Sequence, residues 1–152
     1  MIELSNSIEI QKPLEEVFSF LLNLENLSKW NYFVLRVKKL SKGPVTKGTI
    51  FHQTRKTDEQ TLEIIGLEHN ARIEVSTVSS GYPQLHMRFD LSQTKDGTQI
   101  MDNWRLDTGR PAFLENIAAS TVKAAVHQNL TKLKTLLEMG SVTLQDGRIS
   151  TV

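Results

Sequence analysis

Apolar residues follow two different periods along the chain. Between residues 33 and 107 they alternate with polar residues in short runs, which turn signals such as SKGP and SSGYP separate. From residue 111 to residue 139 they recur every three or four positions instead. Alternation is typical of strands with one buried face, and the longer period is typical of an amphipathic helix. The pattern predicts a series of strands followed by one long helix.

Seven strands are predicted in all. Residues 2–10 alternate weakly and form the first, Pro13 then opens a short helix, and a second helical turn covers residues 25–29. The connectors between the later strands are of hairpin length, whereas parallel strands need long crossovers, so we expect antiparallel pairing. The predicted class is α+β, with the order β-α-α-β6-α and a curved seven-stranded antiparallel sheet wrapped around the last helix. The six later strands span residues 33–40, 48–56, 61–67, 72–78, 85–91 and 98–107.

The long helix changes in side-chain size along its apolar stripe. Its first half contains small residues, Ala118, Thr121 and Ala125, whereas bulky leucines fill its second half. Small residues that face a sheet leave volume unfilled, so the sequence predicts a pocket opposite residues 118–125 that closes toward Leu133. We expect Ile117 to line this pocket together with those three small residues.

Strand alternation indicates which other side chains face the pocket, because residues two apart share one face of a sheet. For the aromatic residues, filling the core is the alternative to lining a pocket. Four polar residues in the inward set, Gln53, Arg55, Thr121 and Asn129, either anchor a ligand or satisfy neighbouring backbone groups. The expected ligand-binding residues outside the long helix are Trp30, Phe51, Gln53, Leu62, Ile64, Val75, Met87, Phe89 and Trp104.

Gly140 is predicted to end the long helix. We therefore divide the chain into a domain of residues 1–140 and a polar C-terminal tail of residues 141–152. The tail is either loose or a short added strand.

Composition narrows the possible partners and locations. The chain has 18 Lys and Arg against 17 Asp and Glu, scattered rather than clustered, which predicts no nucleic-acid partner. It has no cysteine, which excludes disulfides and thiolate metal sites, and it contains neither a signal-like N-terminus nor a run of about 18 apolar residues. We expect a soluble, cytoplasmic protein, a monomer or a homodimer, with no membrane span.

Three segments resemble a known family. They are IEIQKPLEEVFSFLLNLENLSKWNYFVLRV at residues 8–37, GPVTKGTIF at 43–51 and NLTKLKTLLE at 129–138. They resemble the polyketide cyclase/dehydrase and lipid transport group of the START-like (SRPBCC) superfamily, to which the birch pollen allergen also belongs. The resemblance covers about residues 2–139. It implies a helix-grip fold with an internal hydrophobic cavity, and it carries no catalytic signature onto individual residues.

Asp102 is the one candidate catalytic residue. It shares the phase of Ile100, Trp104 and Leu106, which would direct its carboxyl group into the pocket, where a buried acid could move a proton or bind a hydroxyl group. In the alternative, a bulge shifts the phase of the strand, and Asp102 lies outside beside Arg88 in a cross-strand ion pair.

Other chemistry has little support in the sequence. The four histidines are predicted at separate places, so we expect no metal site; they are His52, His69, His86 and His127. No glycine-rich phosphate loop and no Gly-x-Ser-x-Gly motif occur, and we expect no cofactor.

Three functional hypotheses follow, and we rank them in this order. The first is a binding protein for a small hydrophobic ligand (a lipid, polyketide or aromatic compound). The second is an enzyme of cyclase or dehydrase type, in which Asp102, alone or together with Gln53, transfers a proton. The third is an interaction module whose groove receives another protein chain.

Overall fold

The computed structural model describes all of residues 1–152, and its order of elements confirms the predicted α+β helix-grip fold. An antiparallel sheet of seven strands packs against one long C-terminal helix. The strands of this sheet are β1 Ile2–Ile10, β2 Val34–Lys39, β3 Ile50–Arg55, β4 Glu59–Glu68, β5 Arg72–Thr77, β6 Gln84–Gln93 and β7 Thr98–Asp107. The helices are α1 Leu14–Leu22, a 3-10 helix at Leu24–Lys29, and α2 Ala112–Met139.

The sheet order is β1-β7-β6-β5-β4-β3-β2. Strands β2 to β7 form a meander. The last of them, β7, pairs with β1 in a continuous register from Ile2 opposite Leu106 to Ile10 opposite Thr98. The first strand therefore joins the last one, and β2 is left at the opposite edge.

Two irregularities bend the sheet. The pairing register shifts between Val34 and Arg36 in β2 and between Ile64 and Gly66 in β4. An extra residue of this kind bends a strand and increases its twist, which helps a sheet to curve around a helix. Strand β7 has no such shift against either neighbour.

Side chains of the inner face form one hydrophobic core with α1 and α2. On β6, Leu85, Met87, Phe89 and Leu91 are all buried, as their alternation with polar residues predicts. Each fully buried side chain of this size stabilises the fold by roughly 1.5–3 kcal/mol relative to an exposed one.

The C-terminal half of α2 (residues 126–139) anchors the helix to this core. Leu130, Leu133 and Leu136 are completely buried. Gly140 ends the helix with φ of 84°, a conformation that glycine adopts without a steric penalty, and its N–H donates to Leu136 O at 2.9 Å.

Residues 141–152 form a small hairpin of strands β8 (Ser141–Thr143) and β9 (Ile149–Thr151). Val142 and Leu144 are buried in the main core. The guanidinium of Arg148 donates to Tyr32 O at 2.8 Å and to Val34 O at 3.2 Å. Of the two alternatives for this segment, the structure has the ordered one, with two strands rather than one.

None of the helices combines the length and the hydrophobicity that crossing a lipid bilayer requires.

Candidate functional site

A cavity of about 330 Å³ lies between the inner face of the sheet and α2. Eleven of its eighteen lining residues are hydrophobic. This volume is near the lower end of the range of roughly 300–1,000 Å³ that is usual for small-molecule sites. The lining residues are Leu27, Asn31, Phe33, Val34, Gln53, Arg55, Leu62, Pro83, Leu85, Met87, Trp104, Leu106, Thr108, Thr121, Val122, Ala125, Val126 and Asn129.

The helix contributes mostly small or branched side chains to the cavity wall. Thr121, Val122, Ala125 and Val126 line it from above, and the strands opposite leave the space beneath them open. The cavity ends after Asn129, where Leu130 and, one turn beyond Asn129, Leu133 pack directly into the core. The predicted position, opposite residues 118–125, overlaps this cavity, but the lining begins at Thr121 and extends to Asn129.

Six of the predicted ligand-binding residues line the cavity, and they come from both the sheet and the helix: Gln53, Leu62, Met87, Trp104, Thr121 and Ala125. Five others face inward but are buried elsewhere in the core, where neighbouring side chains cover them: Trp30, Phe51, Ile64, Val75 and Phe89. The rings of Trp30 and Phe89, for example, pack against each other with centroids 6.3 Å apart.

The remaining two predicted residues lie outside the cavity. Ile117 is 72% exposed, and Ala118 is also exposed. Val126, which is buried, lies nine positions after Ile117, and at about 100° per residue the two are on opposite sides of the helix. Ala118 lies one turn before Val122, and the part of the helix that lines the cavity begins only at Thr121. The apolar stripe that we assumed was too wide and began too early.

Several lining residues come from positions that the alternation pattern does not identify. Asn31 and Pro83 lie outside the predicted strands, and Phe33, predicted as the first residue of the strand 33–40, precedes β2 in the structure, so strand phase does not place these residues. Leu85 and Leu106, in contrast, share the phase of Met87 and Trp104, so alternation could have identified them, although they are not among the predicted ligand-binding residues.

The amides around the cavity have well-defined orientations. Asn129 Oδ1 accepts from the backbone N–H of Tyr32 at 3.2 Å, and Asn31 Oδ1 accepts from that of Phe33 at 3.0 Å. A backbone N–H can only donate, so the accepting atom in each case is the amide oxygen. The NH₂ groups of Asn31 and Asn129 are left without a protein partner.

Gln53 belongs to a chain of hydrogen bonds. Gln60 Nε2 donates to Pro83 O at 2.9 Å, and Gln53 Nε2 donates to Gln60 Oε1 at 3.3 Å. Because Pro83 O can only accept, the orientation of both glutamines is fixed. This chain ties β3 and β4 to the segment before β6.

Arg55 is the only charged residue of the cavity wall. Its side chain is 22% exposed, and its nearest acidic neighbour is Asp58, whose Oδ2 lies 3.8 Å from Nη1. That distance is too long for a hydrogen bond, and the guanidinium donates to no protein group.

Asp102 lies on the inner face and is 1% exposed. It faces Phe89 on β6 and Asn6 on β1, and its Oδ1 accepts from Trp104 Nε1 at 3.0 Å. The alternative in which a bulge turns it outward toward Arg88 is therefore wrong. Burial raises the pKa of Asp102 to about 7, although the hydrogen bond from Trp104 acts in the opposite direction. Its carboxyl group does not line the cavity, but the indole that holds it does.

The histidines lie at separate places. His86 Nε2 is 3.1 Å from Glu74 Oε2, and His52 is 3.9 Å from Glu59. The ring of His69 packs edge-on against Phe18, and His127 is exposed on α2. No three metal-ligating side chains of the His, Cys, Asp or Glu type come together in the structure.

A second depression, of about 620 Å³, is larger but has a different character. It is lined mainly by polar residues, among them Glu3, Arg88 and Arg105, and only three of its eleven lining residues are hydrophobic. Arg88 is already paired with Asp90 at 2.8 Å. The smaller cavity is therefore the better candidate for an apolar ligand.

Comparisons with known proteins agree with this architecture. The family model described as polyketide cyclase/dehydrase and lipid transport matches residues 1–138. No curated protein sequence matches the chain.

Solved structures share the fold at low sequence identity. TTHA0849 from Thermus thermophilus has a TM-score of 0.70 at 14% identity, over 87% of this chain and 94% of that one. MLL2253 from Mesorhizobium loti has a TM-score of 0.69 at 17% identity, over 92% and 99% of the two chains. DynU16, described as a protein of the dynemicin biosynthetic locus, has a TM-score of 0.68 at 17% identity. The match covers 92% of this chain but only 48% of DynU16, so this chain spans about half of that protein.

Proposed function

The chain belongs to the polyketide cyclase/dehydrase and lipid transport family, and on that premise we propose that it binds a small hydrophobic ligand between its sheet and α2. The ligand class is a lipid, a polyketide or an aromatic compound. The observation that carries the proposal is the cavity of about 330 Å³ with its largely apolar wall. Empty apolar space of this size costs stability, because the side chains that line it lose packing contacts. A ligand that fills the space restores those contacts.

The size of the cavity limits the size of the ligand. In an engineered protein an apolar cavity of about 150 Å³ holds one benzene ring, so a cavity of about 330 Å³ has room for a few rings. This supports a compact ligand, with two or three fused rings or a short acyl chain inside the protein.

A pair of adjacent alanines provides the test. Ala125 lines the cavity, whereas Ala124 is exposed on the same turn of α2. We expect Ala125→Trp to fill the cavity and to weaken the binding of 1-aminoanthracene, a small neutral fluorophore, by tenfold or more. Ala124→Trp should leave its binding unchanged. Fluorescence titration measures both affinities, and equal affinities in the two variants would refute the proposal.

A second candidate function, an enzyme of cyclase or dehydrase type, is favoured by Asp102. A carboxyl group with a pKa of about 7 can both donate and accept a proton near neutral pH. The carboxyl group of Asp102 does not line the cavity, but the indole of Trp104, which donates to it, does. A reacting ligand would therefore have to displace that ring or reach past it.

Asp102→Asn separates the two functions. If the protein is an enzyme, the variant keeps its affinity for a polyketide substrate but loses turnover by at least a hundredfold, the lower end of the usual contribution of a general acid or base. A wild-type protein that turns over no polyketide that it binds would remove this candidate and leave the binding function intact.

A further inference from the structure

We infer that the ligand of this cavity is an anion, with a carboxylate that pairs with Arg55; this inference rests on the proposed binding function. The first support is the set of charged residues in the cavity wall. Among the eighteen lining residues there is one cation, Arg55, and no aspartate or glutamate. Asp58, the nearest acidic side chain, stands beside Arg55 but does not line the cavity.

The second support is the unused hydrogen-bonding capacity of Arg55. Its guanidinium has five N–H donors and makes no hydrogen bond to the protein, and its pair with Asp58 is 3.8 Å long. The other oxygen of Asp58, Oδ1, is buried and has no partner, so this acid does not form the parallel two-bond pairing that arginine and carboxylates prefer. A ligand carboxylate can form that pairing from the cavity side.

The third support is the excess of donors among the neutral polar groups. The oxygens of Asn31 and Asn129 each already accept from a backbone N–H, whereas the NH₂ groups of these two lining residues have no protein partner. Gln53, whose Nε2 is bound to Gln60, offers the one free amide oxygen. A carboxylate accepts hydrogen bonds and donates none, which matches a wall with more free donors than acceptors.

The neighbouring charges do not replace such a ligand. Lys56, the residue after Arg55, is paired with Asp146 at 2.9 Å and lies over the ring of Tyr32. Asp146 is also held by Arg148 at 2.8 Å. This cluster has two cations and one acid, so it supplies no free carboxylate to Arg55, whose guanidinium lines the cavity. The inferred ligand is therefore a compact apolar acid, whose ring or chain contacts Leu62, Met87 and Trp104.

The test compares two probes of equal shape that differ in charge, 2-naphthoate and 2-naphthamide. Each competes with 1-aminoanthracene at pH 7.5 in wild-type protein, in Arg55→Gln and in Arg36→Gln. Arg36 is an exposed arginine on β2 and serves as the matched control. We expect naphthoate to bind wild type at least tenfold more tightly than naphthamide. This preference should disappear in Arg55→Gln and persist in Arg36→Gln.

The possible failures are distinguishable. If both probes displace the fluorophore equally from wild type, or if naphthoate keeps its advantage in Arg55→Gln, the anion inference is wrong while the binding function stands. If 1-aminoanthracene binds wild type and Ala125→Trp equally, the binding function itself fails. Circular dichroism checks that Arg55→Gln is folded. If it is not, Arg55→Lys keeps the charge without the planar two-bond geometry, and we expect it to reduce the preference rather than abolish it.

Discussion

The two halves of α2 perform different tasks although they belong to one continuous helix. In the C-terminal half, residues 126–139, Leu130, Leu133 and Leu136 are fully buried against the sheet. In the N-terminal half, residues 112–125, Phe113 and Ile117 are exposed, and the residues that face the sheet cover an open cavity. The C-terminal half therefore anchors the helix to the core, and the N-terminal half does not need to pack tightly, so a cavity can form beneath it.

Hydrogen bonds fix the position of the N-terminal half, where packing is sparse. At the start of the N-terminal half, Glu115 Oε2 accepts hydrogen bonds from the backbone N–H of Thr108 at 2.9 Å and from its hydroxyl at 2.7 Å. Further along, Asn6 Nδ2 on β1 donates to Lys123 O at 3.2 Å. The C-terminal half makes such hydrogen bonds too, for example from the backbone N–H of Gln11 to Glu138 Oε2 at 2.7 Å, so the two halves differ in packing rather than in polar contacts.

The largest expected effect separates the two halves by stability. Leu133→Ala removes a fully buried side chain and should lower the free energy of unfolding by about 2–5 kcal/mol. Ile117→Ala, in the exposed part of the same helix, should change it by less than about 0.5 kcal/mol. Urea denaturation measures both values, and similar losses in the two variants would contradict the division.

The next effect concerns the buried carboxyl group of Asp102 on β7. Its pKa is about 7 in the folded protein against an ordinary value of 3.8, so between these values the unfolded chain releases a proton that the folded chain retains. Stability from this group is therefore highest below pH 4 and decreases as the pH rises to about 7. The difference between these two pKa values corresponds to a decrease in stability of about 4 kcal/mol.

We expect Asp102→Asn to remove most of this pH dependence, because the amide cannot ionise and its oxygen can still accept from Trp104 Nε1. Urea denaturation at pH 4.5, 6 and 8 measures the effect. The variant should gain on wild type as the pH rises. A constant difference between the two proteins over this range would show that Asp102 titrates as an ordinary surface carboxylate.

The smallest effect tests the open space directly. Ala125→Leu places three more carbon atoms in the cavity and should raise the free energy of unfolding by about 0.5–2 kcal/mol, as cavity-filling changes commonly do. Ala124→Leu, on the exposed side, should change it by less than about 0.5 kcal/mol. Thermal unfolding of the unliganded proteins makes the comparison. A loss of stability in Ala125→Leu would mean that the space beneath residue 125 is already filled.

The sequence predicts the architecture closely where the signal is periodic and local. The long helix is predicted for residues 111–139 and found at Ala112–Met139, and the last strand of the sheet is predicted with the bounds that it has, Thr98–Asp107. Alternation in β6 and β7 also identifies the inner face, because neither strand has a bulge against the other.

The cavity wall was predicted less completely, for two physical reasons. Asn31, Phe33 and Pro83 lie outside regular elements, so only the three-dimensional path of the chain brings them to the cavity. Ile117, in contrast, lies within a helix, but its hydrophobicity does not show whether it is on the buried face. Its angular position, on the side of the helix opposite the buried Val126, shows that it is not.

The proposed ligand site requires open space beneath the N-terminal half of α2. A crystal structure with 2-bromonaphthalene tests it most directly, because the anomalous signal of bromine locates the ligand without reference to the protein atoms. We predict a bromine peak within the cavity, between Val122 on the helix and Met87 on the sheet. If no peak appears there and side chains of the core fill the space, the proposed ligand site is wrong.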